Sequence, residues 1–437
     1  MVKYLVFSTM LVGGVPLMAF AAMSSARLRG LLLSLLVFST VLGDVASINF
    51  LSTETYRGPD RGFELTLTDL VALALALAVV ARFPRRVRWL PLGTWPMALL
   101  FVLAIVSTVN AQAPLLGTFT LFKLVRIYLL FWCVVNVVGT GVSLDYVRYG
   151  LVAMGLVMAV LALKQKYVYG MYRITGPFDH SNGIPLYCNL VIPVLLVWGM
   201  TDRRLSSAEA ALTVFASLGM VFAVVATQSR AGTLLTGLSV ALTLVVANAR
   251  ARSPRVSWTT VTLVLIMLAG GALVADTIVQ RFREAPESSE QARDEFNVAA
   301  RRMAGDRAFG VGLNNFSLVL TTVDRYNEHI EVMKGEEQGG VAHHIYWLTA
   351  AEMGYVGLFA FLIVLGGFLW RALLGAIRAT GLESLLLWGF FIGFVALYLQ
   401  GTLEWGLRIT PMAFQLTICG ALTVALSANP RARRLAT

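Results

Sequence analysis

The sequence predicts an all-α polytopic membrane protein of twelve or thirteen transmembrane helices, and three observations carry that prediction. Of its 437 residues 57% are hydrophobic and only 14% charged, with a mean hydropathy of +0.74, outside the range of soluble domains. Apolar stretches recur at about 17–25 residues, the length that crosses a bilayer. Between them, short arginine-rich connections alternate with connections of mixed charge. The net charge of +11 therefore reads as a topology signal, and no nucleic-acid partner is implied.

Thirteen apolar segments lie near 4–23, 31–50, 65–83, 93–109, 119–138, 150–163, 183–200, 209–227, 233–249, 258–275, 344–370, 384–402 and 409–427. The basic connections hold Arg27 and Arg29, the Arg82–Arg88 cluster, Arg148, Arg203 and Arg204, Arg250–Arg255, Arg371 and Arg378; Arg431, Arg433 and Arg434 form a basic tail. The positive-inside rule assigns these to the cytoplasm. The other set is then external: 51–64, 110–118, 164–182, 228–232, 276–342 and 403–408. Residues 1–23 carry Lys3 and a cleavage-like Ala19-Phe20-Ala21. A cleaved leader would turn every arginine cluster outward, so a retained first helix is preferred. The chain reads as one membrane domain, 1–437, with one long external loop at 276–342 and helical character near 290–304. Cys133, Cys188 and Cys419 lie in apolar segments without metal or redox spacing and read as core residues.

Candidate chemistry gathers on the external side, which holds all four histidines: His180, His329, His343 and His344. His343 and His344 open an apolar helix in "VAHHIYWLTAAEMG", where a neutral imidazole suits a general base; an inert polar helix start is the plain alternative. Glu352 lies nine residues on. A regular helix from 343 puts it about 180° around and roughly 13–14 Å deeper, which excludes a simple dyad and suggests a polar anchor between helices. Arg230 sits in the tight turn of "ATQSRAGTLL", and its planar fork suits phosphate oxygens. Arg173 lies in "MYRITGPFDHSNG". Lys123 and Arg126, three apart on one helix face, either line a cationic cavity or snorkel. The long loop carries Arg293, Arg301, Arg302 and Arg307 on a helical pattern that Gly310-Val311-Gly312 ends. That GVG opens no βαβ helix and is no dinucleotide fingerprint. No P-loop, G-x-S-x-G or metal-holding DxD occurs; no cofactor and no metal are expected. Arginines and histidines above a membrane bundle suit a lipid with an anionic head, such as a lipid-linked pyrophosphate.

These stretches together resemble the O-antigen ligase/polymerase family. "RITGPFDHSNG", "QSRAG", "ARDEFNVAARRMAGDRAFGVGLNNF" and "AHHIYWLTAAEMGYVGL" stand in the family's order over roughly 170–365. His343, Tyr346, Glu352, Gly354 and Gly357 match its most specific pattern, and His344 stands where Asn is usual. The resemblance implies a GT-C-like helical bundle and metal-independent, inverting glycosyl transfer from undecaprenyl diphosphate. The acceptor is lipid A core, another glycan or a protein, with a ligase slightly preferred over a polymerase. It implies His343 as the base, Arg230 and Arg293 as diphosphate ligands with Arg173 a further candidate, and a bacterial inner-membrane location with the site facing the periplasm. The residues alone leave a transporter or flippase of lipid-linked oligosaccharide open, and less favourably an assembly scaffold.

Overall fold

The computed structural model describes residues 2–283, 287–328, 330 and 340–428; His329 and the tail arginines Arg431, Arg433 and Arg434 lie outside them. Each of the thirteen apolar segments contains a helix. Helices α1 (Val2–Thr9) and α2 (Val15–Ser24) run on through one π turn and are followed by α3 (Ala26–Ser39), α4 (Leu67–Arg82), α5 (Thr94–Val109) and α6 (Pro114–Gly139). Next come α7 (Asp145–Leu163), α8 (Gly183–Thr201), α9 (Ser207–Ala226), α10 (Arg230–Arg250) and α11 (Pro254–Arg283). The long connection contains α12 (Glu287–Asp306), α13 (Phe316–Thr322) and α14 (Asp324–Asn327), before α15 (Ile345–Arg378), α16 (Gly381–Gln400) and α17 (Thr410–Ser427). Among the described residues ten helices are long and apolar enough to span a membrane, with α5 and the Pro254–Gly270 part of α11 shorter. The 16-residue α4 is short as well. The protein is a multi-pass membrane protein.

Helix α8 is the axis of the bundle, buried along its whole length. It packs against α9, α10 and α16. Gly393 of α16 lies directly on the backbone of α8 at Leu190, where a side chain would collide, and Gly389 leaves only a tight space at Val194. Small residues at such crossings let membrane helices approach closely.

The second apolar segment ends earlier than its hydropathy suggests. Gly43 takes a positive φ of 49°, and the chain turns into β1 (Ser47–Ser52), paired antiparallel with β2 (Gly62–Thr66). Hydropathy alone cannot separate an apolar strand from the end of an apolar helix. This hairpin leads into α4 through a capping box, in which Thr66 and Asp69 satisfy each other's backbone N–H groups.

The long connection is a packed lid with helices of its own. Helix α12 buries Phe296, Ala299, Ala300 and Met303, a helical stripe, against Leu348 and Ala351 of α15. Its Arg301 and Arg302, and Arg307 just past its end, are exposed. Beyond α12, the segment 308–315 ties three other elements together. Asn314 donates to the carbonyls of Asp60 and Leu116 at 2.8 Å each. Asn315 accepts from the N–H of Ala113 at 2.9 Å and donates to its carbonyl at 3.1 Å.

Helix α15 is broken at Gly354, which has φ 69° and ψ 176°. The break would leave carbonyls without helical donors inside a membrane protein, a costly state unless other backbone supplies them. The GVG segment supplies them: the N–H of Val311 donates to Ala351 at 2.8 Å and that of Gly312 to Glu352 at 3.1 Å. A side chain on Gly354 would run into the carbonyl of Ala308, and one on Gly310 into the backbone of Glu352. Two glycine-bearing motifs far apart in sequence are thus one interlocked structure. The helix also begins at Ile345, with His344 as its N-cap. A regular helix running from 343 is therefore replaced by a short helix that starts after His343 and breaks just past Glu352.

Candidate functional site

The connections 51–64, 110–118, 164–182, 228–232 and 403–408 and the described part of 276–342 meet at one end of the bundle, and two charged clusters form there. The outer cluster centres on Glu404. Its Oε2 lies 3.6 Å from Nδ1 of His343, and its Oε1 lies 3.4 Å from the Arg293 guanidinium. The side-chain amide of Asn182 donates to the same Oε1. Arg173 donates to Asn182 Oδ1 at 3.3 Å and to the Thr227 carbonyl at 3.0 Å. Three sequence candidates, His343, Arg293 and Arg173, are thereby gathered around a carboxylate that sequence reasoning passed over.

His343 is held by backbone just outside a helix, and a quarter of its side chain is exposed. Its Nδ1 is buried and lacks a hydrogen bond. Glu404 is the carboxylate facing it, slightly beyond bonding distance; such contacts are often long before substrate binds. His180 closes the cluster: its Nδ1 accepts the Asn182 N–H at 3.2 Å. Partial desolvation, aided by the charges of Arg173 and Arg293, holds His180 below the ordinary histidine range despite Glu404. His180 is therefore neutral near pH 7 and acts as an acceptor.

Arg230 stands exposed on the first turn of α10. The preceding turn is rigid: Ser229 caps the helix, and Gln228 takes a positive φ of 55°. Arg173 reaches this turn through Thr227, so the turn borders the outer cluster. His344 has a structural task. Its Nδ1 accepts the Trp347 N–H at 3.3 Å, the role an N-cap Asn fills. Burial, with Arg301 nearby, lowers its pKa and keeps that nitrogen unprotonated.

The inner cluster lies deeper. Glu352, fully buried, pairs with Arg408 at 2.7 Å. Buried Lys123 pairs with Asp60 and donates to the Arg408 carbonyl at 2.6 Å. Thr120 also bonds Asp60. Burial alone raises the Asp60 pKa, but Lys123 and Arg408 outweigh it and hold the carboxyl below its usual range. Arg126 points elsewhere: it grips Asp69 through two bonds of 3.0 and 2.7 Å and reaches Glu64 at 3.3 Å. Its guanidinium covers the Phe414 ring at 5.0 Å. It is a pillar of the α4–α6–α17 packing, while Lys123 faces a cavity.

That cavity, of about 350 Å³, lies between α5, α6, α15 and α17. Its walls are apolar, with Phe101, Leu124, Met353 and Phe368 among them, and Lys123 and Arg408 stand at its charged end. Arg408 and Glu404 share one short connection, so the cavity's cationic end is only four residues from the His343 cluster.

Fold and site together define a multi-pass membrane protein with a histidine, several arginines and a carboxylate converging above an apolar cavity. The O-antigen ligase family model matches residues 215–362, so this stretch of the chain is similar to that family. The match includes Arg230, Arg293, the Gly310–Gly312 segment, His343 and Glu352. Glu404, Arg408, Asn182, Arg173 and Lys123 lie outside it. No curated protein matches the chain.

Sequence reasoning missed Glu404, Asn182, Asp60 and Arg408. The available signal was the short connection "GTLEWGLRIT", whose only charges are one acid and one base between two apolar helices. Charges so placed call for partners.

Proposed function

We propose that this protein transfers a glycan from undecaprenyl diphosphate to an acceptor hydroxyl at the periplasmic face of a bacterial inner membrane. The ligase reaction, with lipid A core as acceptor, is preferred over glycan polymerisation or protein glycosylation. The observation that carries the reading is the grouping of His343, Arg293 and Arg173 around Glu404 within and beside a family-matched segment.

In the proposed step, Nε2 of His343 takes the proton of the acceptor hydroxyl. The hydroxyl oxygen bonds to the anomeric carbon from the side opposite the diphosphate. The bond from that carbon to the diphosphate oxygen breaks, and its electron pair leaves with undecaprenyl diphosphate. Arg293, Arg230 and Arg173 hold the growing negative charge. Glu404 accepts a bond from Nδ1–H, which fixes the tautomer that leaves Nε2 free and stabilises the imidazolium that forms. The prenyl chain lies in the apolar cavity, its diphosphate toward the cationic end.

Arginines supply the positive charge, so no metal takes part: EDTA leaves the rate unchanged. The main test uses purified protein, lipid-linked donor and acceptor. His343→Ala lowers undecaprenyl diphosphate release by roughly 10²–10⁴-fold, the usual contribution of a general base, while the protein still inserts and folds. A variant that transfers glycan at the normal rate removes the assignment of His343.

A further inference from the structure

The segment Lys164–Tyr172, "KQKYVYGMY", continues α7 past its last apolar turn and reaches the outer cluster. It begins as a π turn, Lys164–Val168, and reverses at Gly170, whose φ is 64°. Gln165 fixes the reversal from within. Its Oε1 accepts the N–H groups of Thr175 and Gly176 at 3.0 and 2.8 Å, and its Nε2 donates to the Gly176 carbonyl at 2.8 Å. The Gln165 carbonyl accepts the N–H of Met171 at 3.0 Å. The turn is therefore preorganised, which reduces the ordering cost of binding.

This rigid turn displays lysines and exposed tyrosines, of which Tyr167 also stacks on Phe222 of α9. Tyr167, Tyr169 and Tyr172 are 69%, 60% and 63% exposed. The Lys164 ammonium stands 5.2 Å from the Tyr169 ring centre, and that of Lys166 5.8 Å from the Tyr172 ring centre. The Lys166 ammonium donates a hydrogen bond to the Tyr172 carbonyl at 3.0 Å. Among the described residues neither lysine has a carboxylate partner. Val160 and Leu163, exposed just below on α7, continue the apolar flank of the span, so the turn sits at the membrane surface. Tyrosine belts alone are ordinary anchors there. Two uncompensated ammoniums held over tyrosine rings go further: they present charge for phosphate beside flat amphipathic faces. The next residue is Arg173, which enters the outer cluster through Thr227 and Asn182.

We propose that the Lys164–Tyr172 turn docks the head group of the acceptor, a phosphorylated, sugar-bearing lipid lying in the membrane beside the site. The inference rests on the glycan-transfer reading above and adds where on the protein the acceptor head group binds. The lysines take the lipid phosphate, the tyrosines pack on its sugar, and the acceptor hydroxyl extends along Arg173 toward His343.

The test measures binding on the full-length His343→Ala protein in detergent, with bis-phosphorylated lipid A as probe, so that binding is read apart from turnover. Lys164→Gln with Lys166→Gln weakens lipid A binding about tenfold and leaves phosphatidylglycerol binding unchanged. Dephosphorylated lipid A binds the unaltered turn as weakly as lipid A binds the variant. Tyr169→Leu with Tyr172→Leu, which keeps both charges, weakens lipid A binding several-fold. In the active protein the double lysine variant raises the acceptor KM about tenfold at unchanged kcat and unchanged donor KM. Unaltered lipid A binding by the lysine variant overturns the proposal. So does an equal loss for phosphatidylglycerol, which marks the turn as a general anionic-lipid contact. A protein that binds lipid A through these lysines yet transfers no glycan contradicts the proposed reaction alone.

Discussion

The two ends of the bundle use charge in opposite ways. At the arginine-rich end, each described ion pair keeps one partner in contact with solvent: buried Arg148 pairs with the more exposed Asp145 and Glu209. Arg204 is 64% exposed while it pairs with Asp202 at 2.8 Å; Arg255 ties down the carbonyls of Asp202 and Leu205 at 2.9 and 3.0 Å. At the other end, the carboxylates of Glu352, Asp60 and Glu404 have side-chain exposures of 0%, 5% and 9%, each against a cation. Exposed charges cost little to keep and set orientation in the membrane. Buried pairs lose hydration and add little net stability over an apolar pair. Among the described residues, pairs enclosed on both sides, such as Glu352–Arg408 and Asp60–Lys123, lie only at this second end, and the comparison can be broken from either side.

The largest effect falls on the buried pair. Glu352→Ala leaves the Arg408 charge enclosed without its carboxylate and destabilises by roughly 3–5 kcal/mol. Thermal unfolding in detergent measures it, and a loss under 1 kcal/mol would show that water reaches the pair. Next comes Glu404→Gln, which keeps the hydrogen-bonding shape and removes the charge facing His343. The turnover rate drops by roughly a hundredfold, the low end of general-base contributions, with the melting temperature nearly unchanged; an unaltered rate uncouples Glu404 from His343. His344→Ala removes the N-cap and costs about 1 kcal/mol, whereas His344→Asn costs a few tenths at most. Because burial lowers the His344 pKa, its cap is intact above the unfolded-state value and weakens as pH falls through it toward the folded value. The pH-dependent loss of stability seen on acidification is therefore smaller in His344→Asn. Smallest is Arg204→Ala at the opposite end, at most about 0.5–1 kcal/mol and reduced further by salt. A cost comparable to Glu352→Ala would erase the contrast between the ends.

Much of this architecture was legible in the sequence, because hydropathy and arginine bias are local signals. The thirteen apolar segments and the helix near 290–304 could be read within short windows, although that helix ends at Asp306, ahead of Gly310. So could the odd pairing of His343 with His344, though only the structure shows that one caps a helix and the other precedes it. The carboxylates resisted reading because their partners are remote in the chain: Asn182 meets Glu404 across 222 positions, and Lys123 reaches the Arg408 carbonyl across 285. The break at Gly354 was hidden for a related reason. A glycine inside an apolar helix is usually tolerated, and nothing near it in sequence announces the N–H groups of Val311 and Gly312 that make the break affordable.

That interlock sets the unit of inheritance for this fold. Residues 308–312 and 351–354 are complementary halves of one joint, although more than thirty residues of connection separate them. A chimera that takes the connection from a relative with a different helix break must import both halves or neither. An insertion between the halves leaves the joint whole, whereas one inside either half breaks it. The long connection can thus vary in length while its hinge with the membrane helix stays the same, provided that Asn314, Asn315 and the His343–His344 helix start keep their places.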